Sequence, residues 1–206
     1  MASERAFTIE SDGLRLEGAL HEGDGELLAV ALHPHPQYGG DMHNHVVTAV
    51  CGALAESGAT TLRFNFRGAG RSEGAFDSGH GEANDARAAV DALRALRPDG
   101  RLLLAGYSFG AMIAAATAAD VRPDALALIS PPLGMMPTLA IDPELRTLLI
   151  TGDDDRIAPP DALRALDAPN RTIVVAPGVD HGWWPGLDEL TLAVGAFANT
   201  ALPASR

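Results

Sequence analysis

The amino-acid sequence predicts an α/β fold: a mostly parallel, doubly wound sheet with helices on both faces and an antiparallel N-terminal edge. Three observations carry this prediction. From Leu27 onward, short continuous apolar runs alternate with stretches of helical periodicity, and repeated βα units with strands covered on both sides imply a parallel sheet between helical layers. The first twenty residues instead alternate apolar and polar side chains about Ser11-Asp12-Gly13, the mark of a half-buried antiparallel hairpin. Finally, Leu102-Leu103-Leu104-Ala105-Gly106-Tyr107-Ser108-Phe109-Gly110-Ala111 is an apolar run that breaks at Gly-x-Ser-x-Gly and continues into an alanine-rich helical pattern.

Taken in order, Phe7 to Glu10 and Leu14 to Leu20 form the hairpin and one sheet edge. Leu27 to Leu32 is a strand covered on both faces, and Val46, Val47, Val50, Cys51 and Leu54 follow at helical spacing. Cys51 lies on that apolar stripe and reads as core. Thr60 to Phe66 is the next strand; Ala86, Ala89, Val90, Leu93 and Leu96 mark a helix, and Leu102 to Tyr107 is the strand that feeds the Ser108 turn. Strands then follow at Ala125 to Ile129, Leu148 to Thr151 and Thr172 to Ala176, with a short helix near Asp161 to Leu166 and a last helix carrying Leu187, Leu190, Val194 and Phe197. In such a sheet the functional loops lie at the strand C-termini.

A chain of 206 residues, 47% hydrophobic, suits a single domain spanning 1–206. The net charge of -12 argues against nucleic acid and against an anionic membrane surface as partners, because both need a basic footprint. All fifteen basic residues are arginine. The absence of lysine excludes a Schiff-base lysine, a Ser-Lys dyad and the phosphate lysine of a P-loop. One cysteine, no signal-peptide pattern in Met-Ala-Ser-Glu-Arg and no apolar run of membrane-spanning length make a reducing cytoplasm the expected compartment.

The strand-turn-helix around Ser108 has the form of a nucleophile elbow, in which the flanking glycines permit a close backbone approach and the serine is presented outward. The helix that follows brings unpaired amides and a positive dipole end beside the hydroxyl, so the Phe109 N–H is a candidate oxyanion donor. Two later loops supply possible partners. Gly152-Asp153-Asp154-Asp155 follows one strand, and Val179-Asp180-His181-Gly182 follows the next. The order Ser, Asp, His is that of an α/β-hydrolase triad and differs from the chymotrypsin and subtilisin orders.

On these residues the chain resembles the α/β-hydrolase superfamily, in particular its small, lidless bacterial members similar to dienelactone hydrolases and peptidase-like esterases. The likeness runs from Leu27 to the last helix. Leu32-His33-Pro34-His35-Pro36 resembles the family's His-Gly-x-Pro turn after the third strand, which makes His35 the second oxyanion donor through its backbone N–H. Pro34 stands where the family has glycine, and Pro34 and Pro36 carry no N–H of their own. Arg67-Gly68-Ala69-Gly70-Arg71-Ser72 resembles the Arg-Gly-x-Gly-x-Ser loop after the fourth strand and is read as structural, since Gly68, Gly70 and Gly74 miss the dinucleotide-binding spacing. Gly152-x-x-Asp155 matches the acid motif and Asp180-His181 the histidine turn. Asp155 is therefore selected over Asp153 and Asp154, with the added expectation that an extended segment points Asp153 and Asp155 the same way. Many relatives insert a lid after the sixth strand, but the stretch from Ser130 to Arg146, about seventeen residues with four prolines, leaves no room for one.

The resemblance implies a serine hydrolase of small acyl esters or thioesters, without a cofactor, acting on a small-molecule substrate. Its catalytic residues are Ser108, Asp155 and His181, with an oxyanion hole from the Phe109 and His35 amides. Tyr38, Met135, Met136 and Trp183, large apolar residues in loop positions, are read as substrate-binding. Two other classes stay open: a metal-dependent hydrolase built on His33, His35, Asp41, His43 and His45, and a non-catalytic binding module on the same fold.

Overall fold

The computed structural model describes residues 4–201. Strands β1 (Arg5–Ser11) and β2 (Leu14–His21) pair antiparallel through the tight turn at Asp12-Gly13, with Ile9 opposite Leu16. Strands β3 (Leu27–Leu32), β4 (Thr60–Phe64), β5 (Arg101–Tyr107), β6 (Ala125–Ile129), β7 (Arg146–Gly152) and β8 (Arg171–Ala176) complete one sheet in the order β1-β2-β4-β3-β5-β6-β7-β8. All six run parallel, and β2 joins them antiparallel along β4.

Side-chain alternation divides the core into two layers. Leu28, Val30, Leu32, Leu102, Leu104, Leu126 and Leu128 face one way, toward helices α2 (His80–Leu96) and α3 (Phe109–Val121). Ala29, Ala31, Leu103, Ala105, Ala125, Ala127, Leu148 and Ile150 face the other, toward α1 (His45–Glu56) and α5 (Leu187–Ala201). Cys51 is buried in the α1 layer, and desolvation pushes its thiol up to about 12. It is packing, not a nucleophile. A short helix α4 (Pro160–Arg164) follows β7 and opens on a proline, which suits a first turn whose amides need no partner.

The strand expected over Thr60 to Phe66 ends two residues early. The Asn65 N–H still donates to Glu17 C=O at 2.8 Å, one step beyond the Gly18–Phe64 pair, but the Phe66 N–H turns to His33 Nε2 at 3.0 Å and so leaves the ladder. The loop that follows is structural, as its sequence implies. Arg67 pairs with the buried Asp85 at 2.7 Å and with Asp12 at 2.8 Å, tying the loop to α2 and the hairpin. Between β6 and β7 no helix forms, so that segment builds no helical lid over the C-terminal edge of the sheet. Among the described residues, no helix is long and apolar enough to cross a membrane.

Candidate functional site

At the end of β5 the chain reverses into α3 within one residue. Ser108 is held at φ 54°, ψ −116°, a conformation an L-residue adopts only where its surroundings impose it. The flanking glycines show why. A Cβ on Gly106 would lie 2.2 Å from Gly110 O, and one on Gly110 would lie 2.3 Å from Leu32 O. Only hydrogen fits at either place, so the elbow can fold against β3.

His181 Nε2 lies 3.0 Å from Ser108 Oγ, and His181 Nδ1 lies 2.8 Å from Asp155 Oδ2 and 3.0 Å from Oδ1. The structure thus brings together the three residues selected from sequence. Asp155 is 2% exposed, and its Oδ1 also accepts from the Ile157 and Ala158 amides at 2.9 and 2.8 Å. Burial works against its ionisation, but the hydrogen bonds from His181 and Ala158 outweigh it and hold the carboxyl below its ordinary pKa. An ionised Asp155 accepts the Nδ1 proton, which leaves Nε2 as the acceptor facing Ser108.

The added expectation, that Asp153 and Asp155 point the same way along an extended segment, does not hold. Residues 153–155 are a turn, closed by Asp155 N–H to Gly152 C=O at 3.3 Å, and side chains do not alternate along it. Asp153 accepts instead from the Gly178 N–H at 2.6 Å, and Asp154 is exposed.

The His35 and Phe109 amides find no protein acceptor among the described residues. Phe109 opens α3, where no helical carbonyl lies four residues back. The His35 side chain has other partners: its Nδ1 accepts from the Gln37 N–H at 3.2 Å, and its ring centroid lies 4.9 Å from that of Phe109, the two rings tilted.

Beside Ser108 opens a cleft of about 530 Å³. Tyr38, Met135 and Met136 line it, as expected, together with Asn44, Tyr107, Met112, Pro132 and Ile157, which sequence reasoning did not single out. None of its lining side chains is Asp, Glu or Arg. Trp183 requires a correction. It is fully buried in the layer with α5 and donates from Nε1 to Ser130 Oγ at 2.8 Å, so it packs the core and takes no part in the cleft. Its neighbour Trp184 is the exposed one, stacked on His45 at 4.0 Å.

The histidine cluster also resolves differently from a metal centre. His33 is buried between Pro34 O at 2.6 Å and the Phe66 N–H, His43 Nδ1 faces Arg63 at 3.3 Å, and His45 Nε2 reaches Gly182 O at 2.7 Å. Asp41 accepts from the His43 N–H. The rings point to separate partners, and among the described residues no three His, Cys, Asp or Glu side chains converge.

Fold and site define the class: an α/β hydrolase without a lid, its Ser-His-Asp array at the C-terminal edge of the sheet. Residues 38–146 match the family described as serine aminopeptidase, S33, and the chain belongs to that family. It is similar to XC6422 of Xanthomonas campestris, an α/β serine hydrolase without lid, at 34% identity and TM-score 0.89 over 100% of this chain and 98% of that one. A serine hydrolase homologue of Coxiella burnetii shares 31% identity over 95% of this chain and 97% of its own, with TM-score 0.84. An uncharacterized Rickettsia prowazekii protein is 50% identical over 88 residues, 42% of this chain; the match spans 37% of that protein's length.

Proposed function

We propose that this hydrolase is a serine esterase, cleaving small uncharged acyl esters or thioesters in two steps through an acyl-enzyme on Ser108. The observation that carries the reading is the continuous chain from Ser108 Oγ through His181 to a buried, ionised Asp155, at 3.0 and 2.8 Å. His181 Nε2 takes the hydroxyl proton as Oγ bonds to the acyl carbon, and returns it to the leaving oxygen or sulfur as that bond breaks. Asp155 holds the productive tautomer and stabilises the imidazolium. Water then repeats the sequence, its proton passing through His181 to Ser108 as the acid departs. The unpartnered Phe109 and His35 amides are assigned to the developing oxyanion, an effect of ~3 kcal/mol per donor.

The cleft wall favours ester over aminopeptidase action. An aminopeptidase must hold a free α-ammonium beside the scissile bond, a task for a carboxylate, and no acidic side chain lines this cleft. Arginine is equally absent there, which disfavours phosphate-bearing leaving groups. We assign the substrate to uncharged small molecules and the protein, as a single domain of net charge -12, to neither nucleic acid nor membrane. A reducing cytoplasm suits its lone buried thiol.

The test compares p-nitrophenyl acetate and butyrate, an acyl thioester and an aminoacyl p-nitroanilide, with Ser108→Ala as background. Ester or thioester turnover that depends on Ser108, with little on the anilide, is the expected result. Preferential anilide cleavage, or turnover retained by Ser108→Ala, overturns the reading.

A further inference from the structure

His181 sits midway along the irregular chain between β8 and α5, where no sheet or helix ladder fixes it. Part of its loop is self-contained: Gly182 N–H donates to Asp180 Oδ1 at 2.9 Å and Trp183 N–H to Asp180 O at 3.2 Å. Two consecutive carbonyls are then gripped from outside the loop. The Tyr107 hydroxyl donates to His181 O at 2.5 Å, and His45 Nε2 lies 2.7 Å from Gly182 O. A carbonyl only accepts, so His45 carries its proton on Nε2.

We propose that Tyr107 and His45 are positioning residues that hold the His181 loop in register with Ser108. The inference rests on the serine-hydrolase reading above. Tyr107 is the residue before Ser108, so the strand end that presents the nucleophile also holds the backbone of its base. Tyr107 is 6% exposed, and burial raises the pKa of its phenol, which favours the protonated form that donates. His45 begins α1, and the Trp184 indole lies flat against its ring at 13° between planes. The two clamps reach the loop from opposite elements, β5 and α1. Releasing either lets the imidazole drift from Ser108, and misplacement by about 1 Å costs on the order of 10²-fold in rate.

Tyr107→Phe keeps the ring and removes only the donor; kcat should fall about tenfold with KM within about twofold. His45→Ala should lower kcat several-fold, and His45→Gln should restore most of that loss, because its amide N–H can donate to the same carbonyl. Independently of turnover, the downfield proton NMR signal of the His181 Nδ1–Asp155 hydrogen bond, assigned by its loss in His181→Ala, should shift or broaden in Tyr107→Phe and His45→Ala. Full kcat in both variants with an unmoved signal overturns the proposal, as does a fall in melting temperature alone with kcat per active site intact. Should Tyr107→Phe fail to fold, the Ala and Gln pair at His45 decides. Activity surviving in Ser108→Ala or His181→Ala would mean that the serine-hydrolase reading itself has failed, and the NMR signal would still judge the clamp.

Discussion

The Asp154 N–H donates to Val179 C=O at 3.1 Å, stitching the turn after β7 to the loop that carries His181. The join is so close that a Cβ on Gly152 would meet Val179 O at 1.8 Å. Across it, the Gly178 N–H donates to Asp153 Oδ1 and His181 to Asp155, so two of three adjacent carboxylates cross between the loops and Asp154 contributes only its backbone.

These three neighbours should therefore respond differently to substitution. Asp155→Asn should lower kcat by about 10⁴, because an amide donor favours the wrong imidazole tautomer. Asp154→Asn should be within about twofold of wild type, as its side chain makes no contact with the array. Steady-state kinetics on a p-nitrophenyl ester decides the order. A crippled Asp154→Asn beside an active Asp155→Asn would mean that the acid is misassigned.

His33 makes stability depend on pH. Its ring donates to Pro34 O and accepts from the Phe66 N–H, so the neutral form uses both nitrogens, and burial lowers its pKa to about 4. The unfolded chain, with histidine near its ordinary value of 6.5, takes up the proton first. This contribution is complete above about pH 6.5 and is lost as the pH falls toward 4, by up to about 3 kcal/mol. Urea unfolding at pH 7.5, 5.5 and 4.5 should show the decline, and His33→Gln should flatten it. An equal slope in that variant would assign the effect elsewhere.

Trp183 should behave as core and not as a substrate wall. Trp183→Phe removes the bond to Ser130 and part of a buried ring, which should cost about 1–3 kcal/mol and lower Tm. The relative kcat/KM values across an ester series should stay as they are, whereas Met135→Ala, at the exposed cleft rim, should alter them. A changed ester preference in Trp183→Phe would contradict the burial.

That pair of tryptophans shows where sequence reading reached its limit. Periodicity identified the strands and helices, because each reports a local choice of which face is buried, and the elbow was legible because its glycines and serine are contiguous. Trp183 and Trp184 lie in a loop without a period. Which of them turns inward depends on φ 62° at Trp183 and on Ser130, fifty-three positions away in sequence. Asp155 was found by its spacing from Gly152, while the expected alternation of side chains gave way to a closed turn. Tyr107 stood within the elbow motif and His45 within the histidine cluster, but their partners are main-chain carbonyls, which no side-chain pattern advertises.

The uncovered site should limit the acyl chain. Apolar burial contributes ~0.8 kcal/mol per methylene only while the chain remains in the cleft. With about 530 Å³ and no helix between β6 and β7, kcat/KM should rise through acyl groups of about two to six carbons and then level off, with no jump at a lipid-water interface. A p-nitrophenyl series taken below and above micelle formation measures both. A steady rise to about twelve carbons would require an enclosed acyl tunnel, contrary to the open cleft.

The central claim is that Ser108 is the nucleophile. Intact-mass analysis of the folded protein after treatment with a fluorophosphonate, followed by peptide mapping, tests it most directly. The account predicts one adduct per chain, on the peptide containing Gly106-Tyr107-Ser108-Phe109-Gly110, and none in Ser108→Ala. An unlabelled native protein, or an adduct mapped to another serine, would contradict it.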